Sequence, residues 1–241
     1  METSTYVALS GQLALDRRMA ALAQNIANAR TAGYRAQIVD FKSLLANTGV
    51  SDTAFAATGK EFVSTEAGGL VQTKSPLDLA IKGNGFLAFQ RNGATYYSKD
   101  GRLTLAGDGR LLNAAGDPML DVGGAPLQVD PALGEVEIGA NGLMTQAGQG
   151  KGQIGLFDVN LMQGFQRMGA SGFIPQAEAA RITDFSSDGV VQGYYEDSNV
   201  NPTTAMATLI EITRAFEAVS NLSERVSEAQ KSAITILGSR T

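Results

Sequence analysis

The sequence predicts an α+β protein in which long N- and C-terminal helices pair as a coiled-coil-like module and a central segment forms an all-β antiparallel domain. Three observations predict it. Of 28 glycines, 25 lie from Gly49 to Gly193, and all six prolines lie from Pro76 to Pro202, so the residues that break helices are concentrated in the middle. Both ends carry apolar residues at alternating steps of three and four, the period of a helix seam. Between them, turn dipeptides recur at short intervals with brief apolar runs, which is the grammar of antiparallel strands.

The first element runs from Thr3 to about Arg30. Leu15, Met19, Leu22, Ile26 and Ala29 step by four, three, four and three, while Leu9, Leu13, Ala20, Ala23 and Ala27 widen the apolar side. Gly33 supplies a left-handed stop. These residues form one half of a helical module, 1–35 plus 200–241. Residues 36–75 read as an extended linker or connecting segment; within it Phe41, Leu44 and Leu45 have the spacing of a short helix.

Residues 76–199 read as the β-rich domain. Asn92-Gly93, Asp100-Gly101, Asp108-Gly109, Gly116-Asp117, Gly123-Gly124 and Asn141-Gly142 punctuate runs such as GFLAFQ and EVEIG. No ten-residue helical pattern separates the runs, which excludes repeated βαβ units. At Asn201 the period changes again. Asn201 is a good N-cap and Pro202 a good first helical residue. Leu209, Ile212, Phe216, Val219, Ser223, Val226, Gln230, Ala233 and Leu237 then continue the seam to Gly238, a helix of roughly 34 residues and about 50 Å.

The composition removes whole classes of chemistry. The 241 residues include no cysteine, histidine or tryptophan. Imidazole bases, Ser-His-Asp triads, thiol nucleophiles, disulfides and Cys- or His-ligated metals are therefore excluded. A net charge of −5 argues against nucleic acid as a partner. The start, METSTYVALSGQLALDRRM, lacks a basic region followed by an apolar run, and no stretch approaches 18 uninterrupted apolar residues. Neither a cleaved secretory signal nor direct membrane insertion is expected.

A body of the central residues would measure roughly 35–40 Å across, so the C-terminal helix overhangs it and needs cover along its seam. The N-terminal helix can supply part of that cover. Met206, Ile210, Ile234 and Ile236 lie off the main seam and suggest further helices from other subunits. An intramolecular helical hairpin packed on the β domain satisfies the same spacing.

Four ordered motifs carry a family resemblance. The run Asn25-Ile26-Ala27-Asn28-Ala29-Arg30-Thr31-Ala32-Gly33-Tyr34-Arg35 resembles the segment that ends the first helix of the flagellar axial proteins, the rod and hook family. Gly83-Asn84-Gly85-Phe86-Leu87 looks like the family's G-x-G-F motif. Tyr97-Ser98-Lys99-Asp100-Gly101-Arg102-Leu103, followed by Asp108-Gly109-Arg110-Leu111-Leu112, looks like its central motif pair. Ser198-Asn199-Val200-Asn201-Pro202, with Arg214-Ala215-Phe216-Glu217, looks like its C-terminal signature. Length places the chain beside the mid-sized rod proteins. Lys74–Ala80 and the GYRAQ segment look most like the proximal-rod member, and the distal-rod member is similar over the same motifs; Ser98 and Lys99 depart from that member's usual Thr-Arg.

The resemblance implies a structural subunit without enzymatic activity or cofactor. Its terminal helices would form the inner tube of a helical filament, with Leu15, Met19, Leu22, Ile26, Leu209, Ile212, Phe216, Val219, Val226 and Leu237 as an inter-subunit seam. Its partners would be copies of itself, other rod proteins and the flagellar type III export apparatus. Its place would be the periplasm-spanning rod of the basal body.

Individual residues admit more than one reading. Asn25 and Asn28 either set subunit register through seam amides or satisfy the helix end and the turn through Thr31, Gly33 and Tyr34. Gly83-Asn84-Gly85 lacks the Lys-Ser/Thr of a phosphate loop and reads as a tight strand connection. Asp100-Gly101 and Asp108-Gly109 read as hairpin turns. Glu135 and Glu137 alternate with Val136 and Ile138, which puts both carboxylates on the solvent side of one strand. Glu196 and Asp197 sit before the C-terminal helix, where acidic residues favour its N-terminus. A carboxylate-pair glycosidase lacks clustered acids here, while composition alone permits a binding β module on a helical stalk.

Overall fold

The computed structural model of the chain describes the backbone of residues 2–47 and 52–238, with the side chains of these residues except 2–5, 41–47, 52–60, 230, 233, 234 and 236–238. The elements in chain order are α1 (Glu2–Ala27), β1 (Gln37–Asn47), β2 (Asp52–Val63), β3 (Leu70–Gln72), β4 (Leu79–Lys82), β5 (Phe86–Arg91) and β6 (Ala94–Ser98). β7 (Leu103–Leu105), β8 (Leu111–Asn113), β9 (Val136–Ile138), β10 (Leu143–Gln146), β11 (Gln149–Gln153) and β12 (Leu156–Asp158) follow. The chain then forms β13 (Phe165–Met168), β14 (Gly172–Pro175), β15 (Ala180–Arg181), β16 (Gly189–Gln192), β17 (Tyr194–Glu196) and α2 (Pro202–Gly238). The α+β class expected from the sequence is the one observed.

Two compact units divide these elements. The first comprises Met1–Ala27, Gln37–Phe62 and Asn201–Thr241; the second comprises Asn28–Ala36 and Val63–Val200. In the first unit α1 packs against α2 and against β1, and β1 pairs with β2. Asn201 caps α2 as its sequence position requires, its Oδ1 accepting from the main-chain N–H of Thr203 at 3.0 Å and Thr204 at 3.3 Å. Ala205, Leu209, Ile212, Phe216, Val219, Ser223 and Val226 lie on the less exposed side of α2, matching the three-and-four spacing. On α1, Leu15, Met19, Leu22 and Ile26 are half-buried, and Ala14, Ala21 and Asn25, one position before Leu15, Leu22 and Ile26, are buried. Leu237 lies within α2, but its side chain is outside the described residues.

Two expectations differ at the first unit. The helix ends at Ala27 rather than near Arg30, because residues 28–36 leave it for the second unit, where Ala32 and Tyr34 are fully buried. Residues 36–75, expected as an extended linker or connecting segment, hold β1 and β2 here and β3 in the second unit. Phe41, Leu44 and Leu45 stand in a strand, not a helix. A short apolar run fits either period, and only pairing with a second strand decides between them.

The second unit is antiparallel throughout its named pairings. Its largest sheet has the order β13-β14-β6-β5-β12-β15; β11-β10-β9 form a second sheet, and β16-β4, β17-β3 and β7-β8 pair separately. β5 shows why the six-stranded sheet is central. Leu87 and Phe89 point into the main core with Leu79, Leu111, Met119 and Ile154, whereas Phe86 points into a second cluster with Val63, Val159 and Phe173. Successive side chains take opposite faces, so the near-continuous apolar run of β5 serves a sheet covered on both sides.

Asn92 and Gly93, with φ of 51° and 82°, turn β5 into β6 between the paired Arg91 and Ala94, the two-residue hairpin expected of Asn-Gly. Glu135 and Glu137 are exposed while Val136 and Ile138 are buried. Asp100-Gly101 is not a hairpin turn. β6 and β7 belong to different sheets, and Gly101 lies against β4, its carbonyl accepting from Leu79 N–H at 2.9 Å. A Cβ there would stand 2.0 Å from the Leu79 carbonyl oxygen.

Candidate functional site

The four motifs, scattered along the chain, meet in the second unit. Residues 33–35 from the first with Ala36 after them, Gly83 from the second, Lys99–Gly101 from the third, and Asn199, preceded by Glu196, from the last form one polar junction. Arg35 Nη2 and Glu196 Oε1 stand 2.7 Å apart, both side chains being almost wholly buried. The Arg35 Nη1 donates to the Glu66 carbonyl, and Gly68 N–H donates to Glu196 Oε1 at 2.8 Å.

Main-chain bonds close the same junction. Gly33 N–H donates to the Glu196 carbonyl at 2.8 Å. Asn199 accepts from Ala36 N–H through Oδ1 at 2.7 Å and donates through Nδ2 to the Glu66 carbonyl at 2.8 Å. The Arg167 guanidinium carbon lies 5.0 Å from the Tyr34 ring centroid and 5.2 Å from that of Phe173, and its Nη2 donates to the Arg35 carbonyl at 3.2 Å. Burial raises the Tyr34 phenol pKa, and nearby Arg167 partly offsets this.

Lys99 joins the second and third motifs. Its Nζ donates to the Gly83 carbonyl at 2.7 Å and lies 5.2 Å from the Phe86 ring centroid. Burial lowers its pKa from 10.5 to about 8, with Glu196 pulling it up, Arg35 pushing it down and Asp188 pulling it up. Between those values the unfolded chain binds more protons than the folded one, so this residue makes stability rise with pH and the gain is absent below the folded pKa. Relative to Lys99→Met, the native chain is expected to gain roughly 2 kcal/mol between about pH 8 and pH 10. Urea titrations at a series of pH values check this.

The other motif residues divide between positions. Asp188 Oδ1 accepts from Asn84 N–H at 2.7 Å and Gly85 N–H at 3.1 Å, so the donors an anion would use at Gly83-Asn84-Gly85 are already taken. Tyr97 packs on Phe157 at 5.3 Å, and Gly109 turns the chain between β7 and β8. Asn25 donates to the Gln37 carbonyl at 2.9 Å and accepts from Gln37 N–H at 2.8 Å; both polar edges of its amide therefore serve β1 within the first unit. Asn28 Oδ1 accepts from the Thr31 hydroxyl at 3.1 Å, in the turn leading to Gly33 and Tyr34. Val200 is half-buried and Pro202 opens α2, where Arg214 and Glu217 are exposed and Phe216 half-buried.

Glu196 corrects its sequence reading: it serves Arg35 and Gly68 instead of the helix N-terminus. Asp197 is engaged locally, its Oδ1 accepting from Ser198 N–H at 2.8 Å. Arg167 and Asp188 escaped the sequence reading because nothing near them in the chain marks their partners. A carboxylate embedded in the run of β17 was the one available signal for Glu196.

Outside the junction, the helix pair leaves apolar surface uncovered within the described residues of the first unit. Tyr6, Leu9 and Leu13 of α1 and Met206, Ile210 and Leu222 of α2 are each about half exposed or more. Among the described residues no helix is long and apolar enough to cross a membrane.

Helices at both ends, an antiparallel body and motifs gathered at its chain crossings define a flagellar axial protein. Residues 6–35 match the family described as flagella basal body rod protein, residues 80–146 the flagellar hook protein FlgE/F/G D1 domain, and residues 191–236 the flagellar basal body rod FlgEFG protein C-terminal family. Flagellar basal-body rod protein FlgF of Mesorhizobium japonicum is 40% identical over 241 residues, covering 100% of both chains. FlgF of Rhizobium meliloti is 40% identical over 238 residues and that of Caulobacter vibrioides 34% over 248, each covering 99% of both chains. The flagellar hook protein FlgE of Brucella abortus is 36% identical over 80 residues, 32% of this chain and 20% of that one. The chain belongs to the FlgF family of flagellar basal-body rod proteins.

Proposed function

We propose that the chain is a structural, non-enzymatic subunit of the proximal rod, self-assembling into a helical shaft that transmits torque. In this reading α1 and α2 pair in coiled-coil fashion along Leu15, Met19, Leu22 and Ile26 and along Leu209, Ile212, Phe216, Val219 and Val226. The pairs form an inner layer and the β-rich unit an outer one. Copies of itself and other proximal and distal rod proteins are the neighbours. The chain reaches the periplasm-spanning rod unfolded, through the flagellar type III export apparatus.

The observation that carries this reading is the apolar surface that both helices leave uncovered away from the seam. The seam of α2 faces inward, and yet Met206, Ile210 and Leu222 remain exposed on the same helix, as do Tyr6, Leu9 and Leu13 on α1. A helix apolar on more than one side needs more than one neighbour. In the full chain, Ile210→Glu with Leu222→Glu is expected to abolish incorporation into basal bodies and to change the unfolding free energy by no more than about 0.5 kcal/mol, since both sites are exposed. Basal bodies that still contain the doubly substituted chain at the native level would overturn the proposal.

A further inference from the structure

Beside the junction lies a cavity of about 400 Å³ lined by residues of the second unit, within the size range of small-ligand sites. Its lining is graded. Arg35, Val63, Phe86, Lys99 and Val159 are buried, whereas Thr65, Asn84, Asp158, Asn160 and Met162 are exposed. The deep part therefore combines two cations with an apolar wall, and the outer part is polar apart from Met162.

The two cations differ in their commitments. Arg35 is engaged by Glu196 and by the Glu66 carbonyl. An ammonium carries three donors, and Lys99 gives one to the Gly83 carbonyl while resting over Phe86. Of the nearby carboxylates, Glu196 Oε1 is held by Arg35 and Gly68 while its Oε2 has no hydrogen-bond partner among the described residues, and Asp188 Oδ1 is held by Asn84 and Gly85. A desolvated ammonium with spare donors at the inner end of a cavity selects an anionic oxygen. Asp158 at the outer end and Glu196 behind the wall disfavour a dianion such as phosphate. The apolar wall suits a hydrocarbon stem.

We propose that this cavity is a carboxylate-binding site, with Lys99 as the ligand's charge partner and Phe86, Val63 and Val159 as the bed for a short aliphatic stem. Two sources present that chemistry: a free short-chain acid, or an acidic side chain of an adjacent subunit. The second source rests on the assembly proposed above and the first does not.

Butyrate is the probe, titrated into the isolated full-length protein while NMR follows the Lys99 side chain with labelled lysine and the backbone amides of Phe86 and Val159, which also report on Lys99→Met. Saturable movement of the Lys99 resonances is expected, with a Kd of about a millimolar. Affinity should fall as pH rises through the titration of Lys99, a readout that needs no variant, and Lys99→Met should weaken binding about tenfold or more. No saturation, or saturation insensitive to both pH and Lys99→Met, overturns the site. In assembled material, butyrate that still binds assigns the site to a free acid. Butyrate excluded while Lys99 keeps its bound-state shift assigns the carboxylate to a neighbouring subunit. Failure to assemble would overturn the rod reading and leave the titration of the isolated chain to judge the site.

Discussion

Replacing Arg35 with methionine is expected to destabilise the β-rich unit by about 3–5 kcal/mol, because it strands the Glu196 carboxylate in a buried position. Its Oε2 already has no hydrogen-bond partner among the described residues, so little reserve exists to absorb the change. Glu196→Gln alone should also destabilise, since the Arg35 guanidinium then loses its counter-charge. Combining the two should recover much of the loss: the amide still offers an acceptor to Gly68 N–H and no uncompensated charge remains. Chemical denaturation of the two single variants and the double variant provides the cycle. Additive losses would show that each residue acts through its other bonds, such as that from Arg35 to Glu66, and not through the ion pair.

Gly33→Ala should be comparably severe. Gly33 has φ of 66°, and a Cβ there would stand 2.2 Å from the Asp100 main-chain nitrogen and 2.5 Å from the Lys99 carbonyl carbon. Left-handed backbone alone costs a non-glycine residue about 1 kcal/mol or slightly more. The clash adds more, because both opposing atoms are main chain and cannot rotate away. A loss of several kcal/mol is expected, together with loss of the Gly33 N–H bond to the Glu196 carbonyl, read as accelerated amide exchange at Gly33's neighbours Ala32 and Tyr34. By contrast, alanine at Gly93, which has a similar φ but open space around it, should cost only the backbone term.

The parts of the fold legible in the sequence are those whose cause is local. The seam of α2 can be counted along the chain, and the cap by Asn201 uses N–H groups two and three residues away. Asn92-Gly93 carries its own turn. The junction was legible only as motifs. Arg35 and Glu196 find each other because the sheet brings them together, and a lone arginine or glutamate in sequence does not announce such a partner. Asp100-Gly101 misled for a related reason: the dipeptide suits a hairpin, but here the glycine is required by β4 crossing against it. Ala29 continues the apolar period of α1 past its true end at Ala27, while the burial of Ala32 and Tyr34 draws the chain off the helix axis. For β1 and β2, mixed Ser, Thr and Ala composition has no strong period, and pairing supplied what the pattern lacked.

The bond between Ala36 and Asn199 spans 163 residues of chain, and this has a consequence for the order of events in folding. Whatever end of the polypeptide becomes available first, the junction cannot close until nearly all of the chain between its two sides has followed. Until then Arg35 lacks its anion and Gly33 its acceptor, and the long loop that would join them remains entropically open. A partly synthesised chain thus holds no completed β-rich unit. Whichever side of the junction arrives second acts, in arriving, as the signal that the rest is free to fold.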